Sequence, residues 1–281
     1  MTLPLSDSAL IGTCLAASAL GLLVLTGGGG NGTPDADTVA TAQVEEAPAP
    51  EPEAQAASDV PADVDDDFGD QVRAYLLENP EVIFEAVAVY EERNMAAQTD
   101  MSRELIAANA DAIFNDGFSW VGGNPDGDIT LVEFVDYRCG FCQRAHGEVF
   151  GFVEADANTR LIIKEFPILG PESELASRYA IAVLNEKGDE AYEQVHGALL
   201  GHDAPITDEA LSDMSADLGL DHDVIAAAMD SDATTDVIAA NHDLAQRLQI
   251  TGTPTFVMED EMIRGFVEAD VLTNVAADLR D

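Results

Sequence analysis

Two cysteines separated by two residues, Cys139 and Cys142, stand where a strand-like run gives way to a helix-like run. That placement restricts the chain more than any other feature. Ile129–Val135 reads ITLVEFV, rich in β-branched and aromatic residues, and predicts a buried strand. Asp136-Tyr137-Arg138 closes it, and a helix-compatible run begins at Gln143. A thiol in the first turn of a helix meets free backbone N–H groups and the positive end of the helix dipole, and both favour the thiolate. The thiolate is the attacking species in disulfide exchange. Two intervening residues, Gly140 and Phe141, let the second sulfur reach the first when the first is held in a mixed disulfide. Cys139 is therefore the expected nucleophile and Cys142 the expected resolving thiol.

Only three cysteines occur in 281 residues, the third being Cys14, which is too few for a disulfide scaffold. The competing chemistry for a Cys-x-x-Cys is half a zinc site. Cys139, Cys142 and His146 would supply three ligands, but no fourth stands at a recognisable spacing. His146 is instead expected on the surface of the helix. Neither a metal nor an organic cofactor is required. The charge excludes another class: 54 acidic against 12 basic residues, net −42, repels nucleic acid. Only Lys164 and Lys187 are lysines, and an acidic, Lys-poor surface resembles that of proteins working in high salt, where ions screen the self-repulsion.

The chain before the Cys pair divides by composition. Residues 9–26 are uncharged and apolar, close to the about 17–25 residues that cross a bilayer. Three readings compete: a retained signal anchor, a signal peptide cleaved near Ala40-Thr41-Ala42, and a lipidated leader using Cys14. The first is preferred, with residues 1–26 as membrane segment and the bulk of the chain outside the cytoplasm. Residues 27–67, rich in Gly, Pro, Ala and acid, lack the apolar content to fold and are read as a flexible tether. Residues 68–117 return to helical periodicity. A short helix ends at Asn79-Pro80, a second carries Val82, Ile83, Ala86, Val87 and Tyr90 on one face, and a third runs over residues 105–114. That apolar face either folds back on the following domain or joins a second copy of the chain through residues 68–115.

From residue 118 to 281 the pattern is mixed. Residues 118–121 and 160–166 read as strands, residues 171–248 as almost wholly helical with breaks at Gly188, at 201–205 and at Gly219. A strand pair, 255–258 and 262–266, surrounds Glu259-Asp260-Glu261, and residues 267–279 close the chain as a helix.

Three segments carry a resemblance. VEFVDYRCGFCQRAH (residues 132–146) resembles the active-site segment of the DsbA family of thiol–disulfide oxidoreductases. KEFPILGPESELASRYAIA (164–182) is similar to its second strand and entry into a helical insertion, and TGTPTFV (251–257) to its cis-proline loop. YLLENPEVIFEA (75–86) resembles the N-terminal extension of the copper-resistance-linked ScsC group, where related segments mediate oligomers. The resemblance implies an α/β thioredoxin fold with an inserted helical domain at about 171–248, preceded by the N-terminal helical segment. It implies that Pro254 is a cis-proline facing the Cys pair, that Thr253 tunes redox behaviour, and that Thr253 and Pro254, with Gly140 and Phe141, border an extended substrate peptide. It also implies that Glu133, six residues before Cys139, is a buried acid relaying protons for the resolving thiol. The implied partners are unfolded or misoxidised extracytoplasmic proteins and a membrane redox partner. Gly140-Phe141 departs from the Pro-His of the best-known oxidases and, with Thr253, leans towards isomerase or reductase chemistry. A second class remains beside the enzyme: a copper or zinc chaperone holding metal on the same Cys pair.

Overall fold

The computed structural model describes residues 66–281, and within them the chain forms nine helices around one five-stranded sheet. The expectations for the leader, Cys14, the cleavage site and nearly all of the linker lie outside the described residues. Among the described residues no helix is long and apolar enough to cross a membrane.

Helix α1 (Asp66–Glu78) ends before Pro80, which stands directly before α2 (Glu81–Phe114). The sequence reading divided α2 into two helices; it is one helix of 34 residues. No Gly or Pro interrupts residues 81–114, so nothing in the backbone forces a break. Its last turns bury Ile106 and Ile113 against the sheet. The earlier apolar residues stay uncovered, Phe84 at 74% and Tyr90 at 66% exposure, and they do not fold back on the following domain.

The strands are β1 (Trp120–Gly123), β2 (Ile129–Val135), β3 (Thr159–Glu165), β4 (Thr255–Met258) and β5 (Glu261–Arg264), in the spatial order β1-β3-β2-β4-β5. β2 and β3 are parallel, and the other neighbours are antiparallel. The parallel pair is joined by α3 (Gly140–Asp156), the crossover such a pair needs. Between β3 and β4 lie α4 (Pro171–Lys187), α5 (Asp189–Leu200), α6 (Asp208–Asp217), α7 (His222–Met229) and α8 (Asp232–Arg247), and α9 (Ala269–Arg280) closes the chain. The sequence reading missed one break in this insertion, between α7 and α8. Ser231 makes it, its hydroxyl accepting from Thr234 N at 3.2 Å as the cap of α8.

The sheet is buried on both faces, and alternation along β2 sorts its side chains. Leu131 and Val135 face α3, α9 and the insertion; Val132 and Phe134 face α2 and α8. Glu133 falls on the first of these faces, under α3. Lys164 falls on the second, fully buried, and its Nζ donates to Asp116 at 2.5 Å. Asp116 also takes the Ser119 N–H and hydroxyl, which fixes the connection between α2 and β1. Burial opposes ionisation of this carboxyl, but Lys164 and Ser119 outweigh it and hold it below its ordinary range. Removing one partner of a buried pair leaves the other uncompensated, so Lys164→Met should lower the unfolding free energy by about 3 kcal/mol. Denaturant melts of the two proteins measure this, and a loss under about 0.5 kcal/mol would show that water already screens Asp116.

Candidate functional site

The seam between β2 and α3 is built by Asp136. This residue is fully buried, and its backbone oxygen accepts from Cys139 N at 3.0 Å. Its Oδ1 accepts from Arg138 N at 2.8 Å, and its Oδ2 from Ile168 N at 2.7 Å and Leu169 N at 3.0 Å. One carboxyl group thus shapes the turn into α3 and ties it to the loop after β3. Arg138 fastens the same turn to the insertion, through Glu172 at 3.2 Å and the Ala204 carbonyl at 3.2 Å.

Cys139 is the N-cap residue of α3, and Cys142 lies in the first turn. Both are free thiols; Cys139 is 8% exposed and Cys142 fully buried. The Thr253-Pro254 peptide bond is cis, as expected, and brings the Thr253 carbonyl oxygen to 3.1 Å from Cys139 Sγ, an acceptor for the sulfur only when it carries its proton. The hydrogen bond from Cys142 is the largest influence on Cys139. Together with the Thr253 side chain and the N–H groups of Phe141 and Cys142 it overcomes burial and lowers the Cys139 pKa to about 5. The same hydrogen bond, then burial, then Glu133, pushes the Cys142 thiol far up. Glu133 is 2% exposed under the pair, and burial, then Cys139, then Glu165 raise its pKa to about 8.

The residues between the cysteines are open to solvent. Phe141 is 55% exposed, and a Cβ added at Gly140 would meet no atom within 4 Å. Arg144 lies over the rings of Phe141 and Phe266, at 5.6 and 4.4 Å from their centroids. Leu169, in the loop held by Asp136, is exposed as well. The structure therefore brings together every expected site residue: Cys139, Cys142, Glu133, Thr253, Pro254, Gly140 and Phe141.

His146 departs from expectation. It is half-buried rather than on the surface, with its ring 4.5 Å from Phe150 and 5.4 Å from His196. It turns towards the helical insertion because α3 packs against α5 there. Among the described residues no three His, Cys, Asp or Glu side chains are grouped to hold a metal. Sequence reasoning missed Asp136, Arg138 and a buried polar group of Tyr137, Glu165, Tyr192 and His196. Tyr192 and His196 are four apart on α5 and so share a face, but that spacing alone marks ordinary core equally well.

Comparison with known proteins agrees with this geometry. Residues 130–277 match the DSBA-like thioredoxin domain, and residues 66–97 match the Copper resistance protein ScsC N-terminal domain. A thioredoxin-like oxidoreductase from Silicibacter pomeroyi is 40% identical, with a TM-score of 0.58, over 60% of this chain and 96% of that one. Disulfide bond formation protein D of Bacillus subtilis is 23% identical over 53% of this chain and 71% of its own length. The Na(+)/H(+) antiporter NhaA of Herminiimonas arsenicoxydans is 27% identical over 55% of this chain, a match that spans only 24% of the antiporter.

The depressed Cys139 pKa makes a prediction. A folded-state value of about 5 lies below the roughly 8.5 of a free thiol. The thiolate's contribution to the stability of the reduced protein is thus fully present above pH ~8.5 and lost as pH falls through the folded value. Thiolate absorbance should titrate with a midpoint about pH 5, and the stability advantage over Cys139→Ser should shrink between pH ~8.5 and ~5. A midpoint at the free-thiol value would remove the basis for Cys139 as nucleophile.

Proposed function

The chain belongs to the DSBA-like thioredoxin domain family, and we propose that it is a thiol–disulfide oxidoreductase acting on proteins, with Cys139 as nucleophile and Cys142 as resolving thiol. The observation that carries this reading is the split between the two sulfurs. One is held as a thiolate at a helix N-terminus beside a cis-proline loop, and the other is buried and protonated over a carboxyl group. In the reducing direction the Cys139 thiolate attacks a substrate disulfide, forming a mixed disulfide and releasing the first substrate thiolate. Cys142 then passes its proton to Glu133 and attacks Cys139 Sγ. The Cys139–Cys142 disulfide forms, and the second substrate sulfur leaves as a thiolate and takes a proton from water. The oxidising direction runs these steps backwards. Gly140, Phe141, Thr253 and Pro254 border the substrate, which lies extended along the cis-proline loop as an added strand.

The finer reading follows the sequence. Residues 118–281 are the redox domain, 68–117 a helical segment, 27–67 a tether and 1–26 a membrane anchor that holds the protein outside the cytoplasm. A membrane redox partner resets the Cys pair, and the acid surplus suits a salty medium. Gly140-Phe141 and Thr253 favour isomerase or reductase work. The uncovered apolar residues of α1 and α2 favour a homo-oligomer, since so continuous an exposed patch marks an interaction surface.

Two measurements test this. Equilibration of the purified protein with graded glutathione buffers should give a Cys139–Cys142 disulfide and a defined potential. Cys139→Ser should abolish exchange, and Cys142→Ser should accumulate mixed disulfides. A potential well below the about −120 mV of the strongest oxidants would fit the isomerase or reductase direction. A protein that forms no disulfide at any poise and retains stoichiometric metal is a metal-binding module instead. Separately, sedimentation should find the wild type larger than a monomer and a Phe84→Glu/Tyr90→Glu variant monomeric with its redox chemistry intact. A wild-type monomer would end the oligomer reading.

A further inference from the structure

A second buried carboxyl lies on the same sheet face as Glu133, unused by the chemistry described above. Glu165 ends β3, paired in register with Val135, and faces the same side of the sheet as Glu133. It is 3% exposed. Its Oε1 accepts from the Tyr137 hydroxyl at 2.7 Å and the Tyr192 hydroxyl at 2.6 Å. The Tyr137 oxygen also meets His196 Nδ1 at 3.0 Å. Because Tyr137 gives its proton to Glu165, it accepts here, which places a proton on His196 Nδ1. Burial, with His146 adding to it, depresses the His196 pKa to about 3, so the ring is neutral.

Among the described residues, the groups that act on Glu165 include no cation to balance its charge. Glu133 faces it from β2, Asp136 and Tyr137 from the turn after β2, Ser177 from α4 and Tyr192 with His196 from α5; His146 on α3 stands behind His196. From α8, Asn241 donates to the Glu165 backbone oxygen at 3.0 Å. Glu165 Oε2 and Ser177 Oγ are both buried with no other partner, and the Ser177 hydroxyl supports the charged form of the carboxyl. Burial of the carboxyl itself favours the protonated form. The two tyrosine hydroxyls on Oε1 work the other way and favour the charged form. The site thus accommodates Glu165 in either state.

We propose that Glu165 is a positioning residue for the proton step, coupled to Glu133 across one sheet face so that a charge on either buried carboxyl delays the ionisation of the other. This rests on the redox reading and on Glu133 as acceptor of the Cys142 proton. Two carboxyls sharing one buried sheet face titrate as a pair, the first ionisation delaying the second. Burial, moderated by the tyrosines, raises the Glu165 pKa to about 7, below the value of about 8 at Glu133. Glu165 therefore ionises first as pH rises, and its charge keeps the proton on Glu133. The consequence is a resolving step gated by pH. Cys142 cannot hand over its proton until Glu133 is empty, and Glu165 sets how alkaline the medium must be for that.

The test is the pH profile of the resolving step, followed in the full-length protein as release of a glutathione held in mixed disulfide on Cys139. Wild type should show release rising through the ionisation of Glu133, with a midpoint below the about 8 of the free-thiol form because Cys139 in the mixed disulfide carries no charge, and Glu133→Gln should lose that rise. Glu165→Gln keeps an oxygen for both tyrosines but removes the charge, so its midpoint should fall by about one pH unit. Tyr192→Phe withdraws one hydrogen bond from the charged form of Glu165 and should move the midpoint the same way by less. It also decides the matter if Glu165→Gln fails to fold. An unchanged or raised midpoint in the folded variants, with normal release in wild type, overturns the role of Glu165 alone. If wild type releases no glutathione and forms no Cys139–Cys142 disulfide, the redox reading itself has failed, and this inference with it.

Discussion

Asp136 takes three backbone N–H groups on its carboxyl and a fourth, from Cys139, on its own carbonyl oxygen. A chain leaving a buried strand for a helix has backbone donors with no ladder to join, and leaving them unmet in an apolar interior is costly. Asp136 answers that need at the one point where the strand, the helix and the loop after β3 converge. The direction in which α3 departs, and so the position of Cys139 against the Thr253-Pro254 loop, depends on this residue. Arg138 adds a second fastening, to Glu172 in α4 and to the carbonyls at His202 and Ala204. The helical insertion is therefore tied to the turn that presents the nucleophile.

From that fixed turn the chemistry follows by asymmetry. A single hydrogen bond between the sulfurs lowers one pKa and raises the other, because the donor keeps its proton and the acceptor loses it. The helix end favours the same outcome at Cys139. Cys142 looks inward instead, towards the buried Glu133, with Glu165 on the same sheet face. The carboxyls are the groups that can move a proton there, and their raised pKa values of about 8 and 7 bring them into the pH range where thiols exchange.

Much of this was legible in the sequence because it is local. The run ITLVEFV and the Cys-x-x-Cys each state their own conformation, the resemblance of TGTPTFV points to the cis-proline, and a strand apolar on both sides of Glu133 buries it. What was hidden depends on pairing at long range. Glu165 meets Tyr192 across 27 residues and Tyr137 across 28, and no periodicity announces that meeting. His146 was misjudged for the same reason: it lies on the α3 flank that α5 covers, and α5 enters the chain some forty residues later. The length of α2 was misread differently. Sequence variation inside it looked like a boundary, although without Gly or Pro the helix simply propagates.

The scarcity of cations gives those present a particular use. Twelve Lys and Arg serve a chain of net charge −42, and six of them form ion pairs among the described residues. Several join elements far apart in sequence. Arg280 of the last helix grips Asp128 before β2 and Asp156 at the end of α3. Arg103 of α2 reaches Asp260 and Glu261 at the β4–β5 turn. Exposed pairs of this kind contribute little each, yet where carboxylates dominate, every seam without a cation is a place of mutual repulsion. Salt acts on the two terms in opposite senses, screening the repulsion and weakening the pairs. The repulsion is the larger sum, since carboxylates outnumber cations by more than four to one. Added salt should therefore close the seams between elements, while the buried pair of Lys164 and Asp116 lies largely beyond its reach.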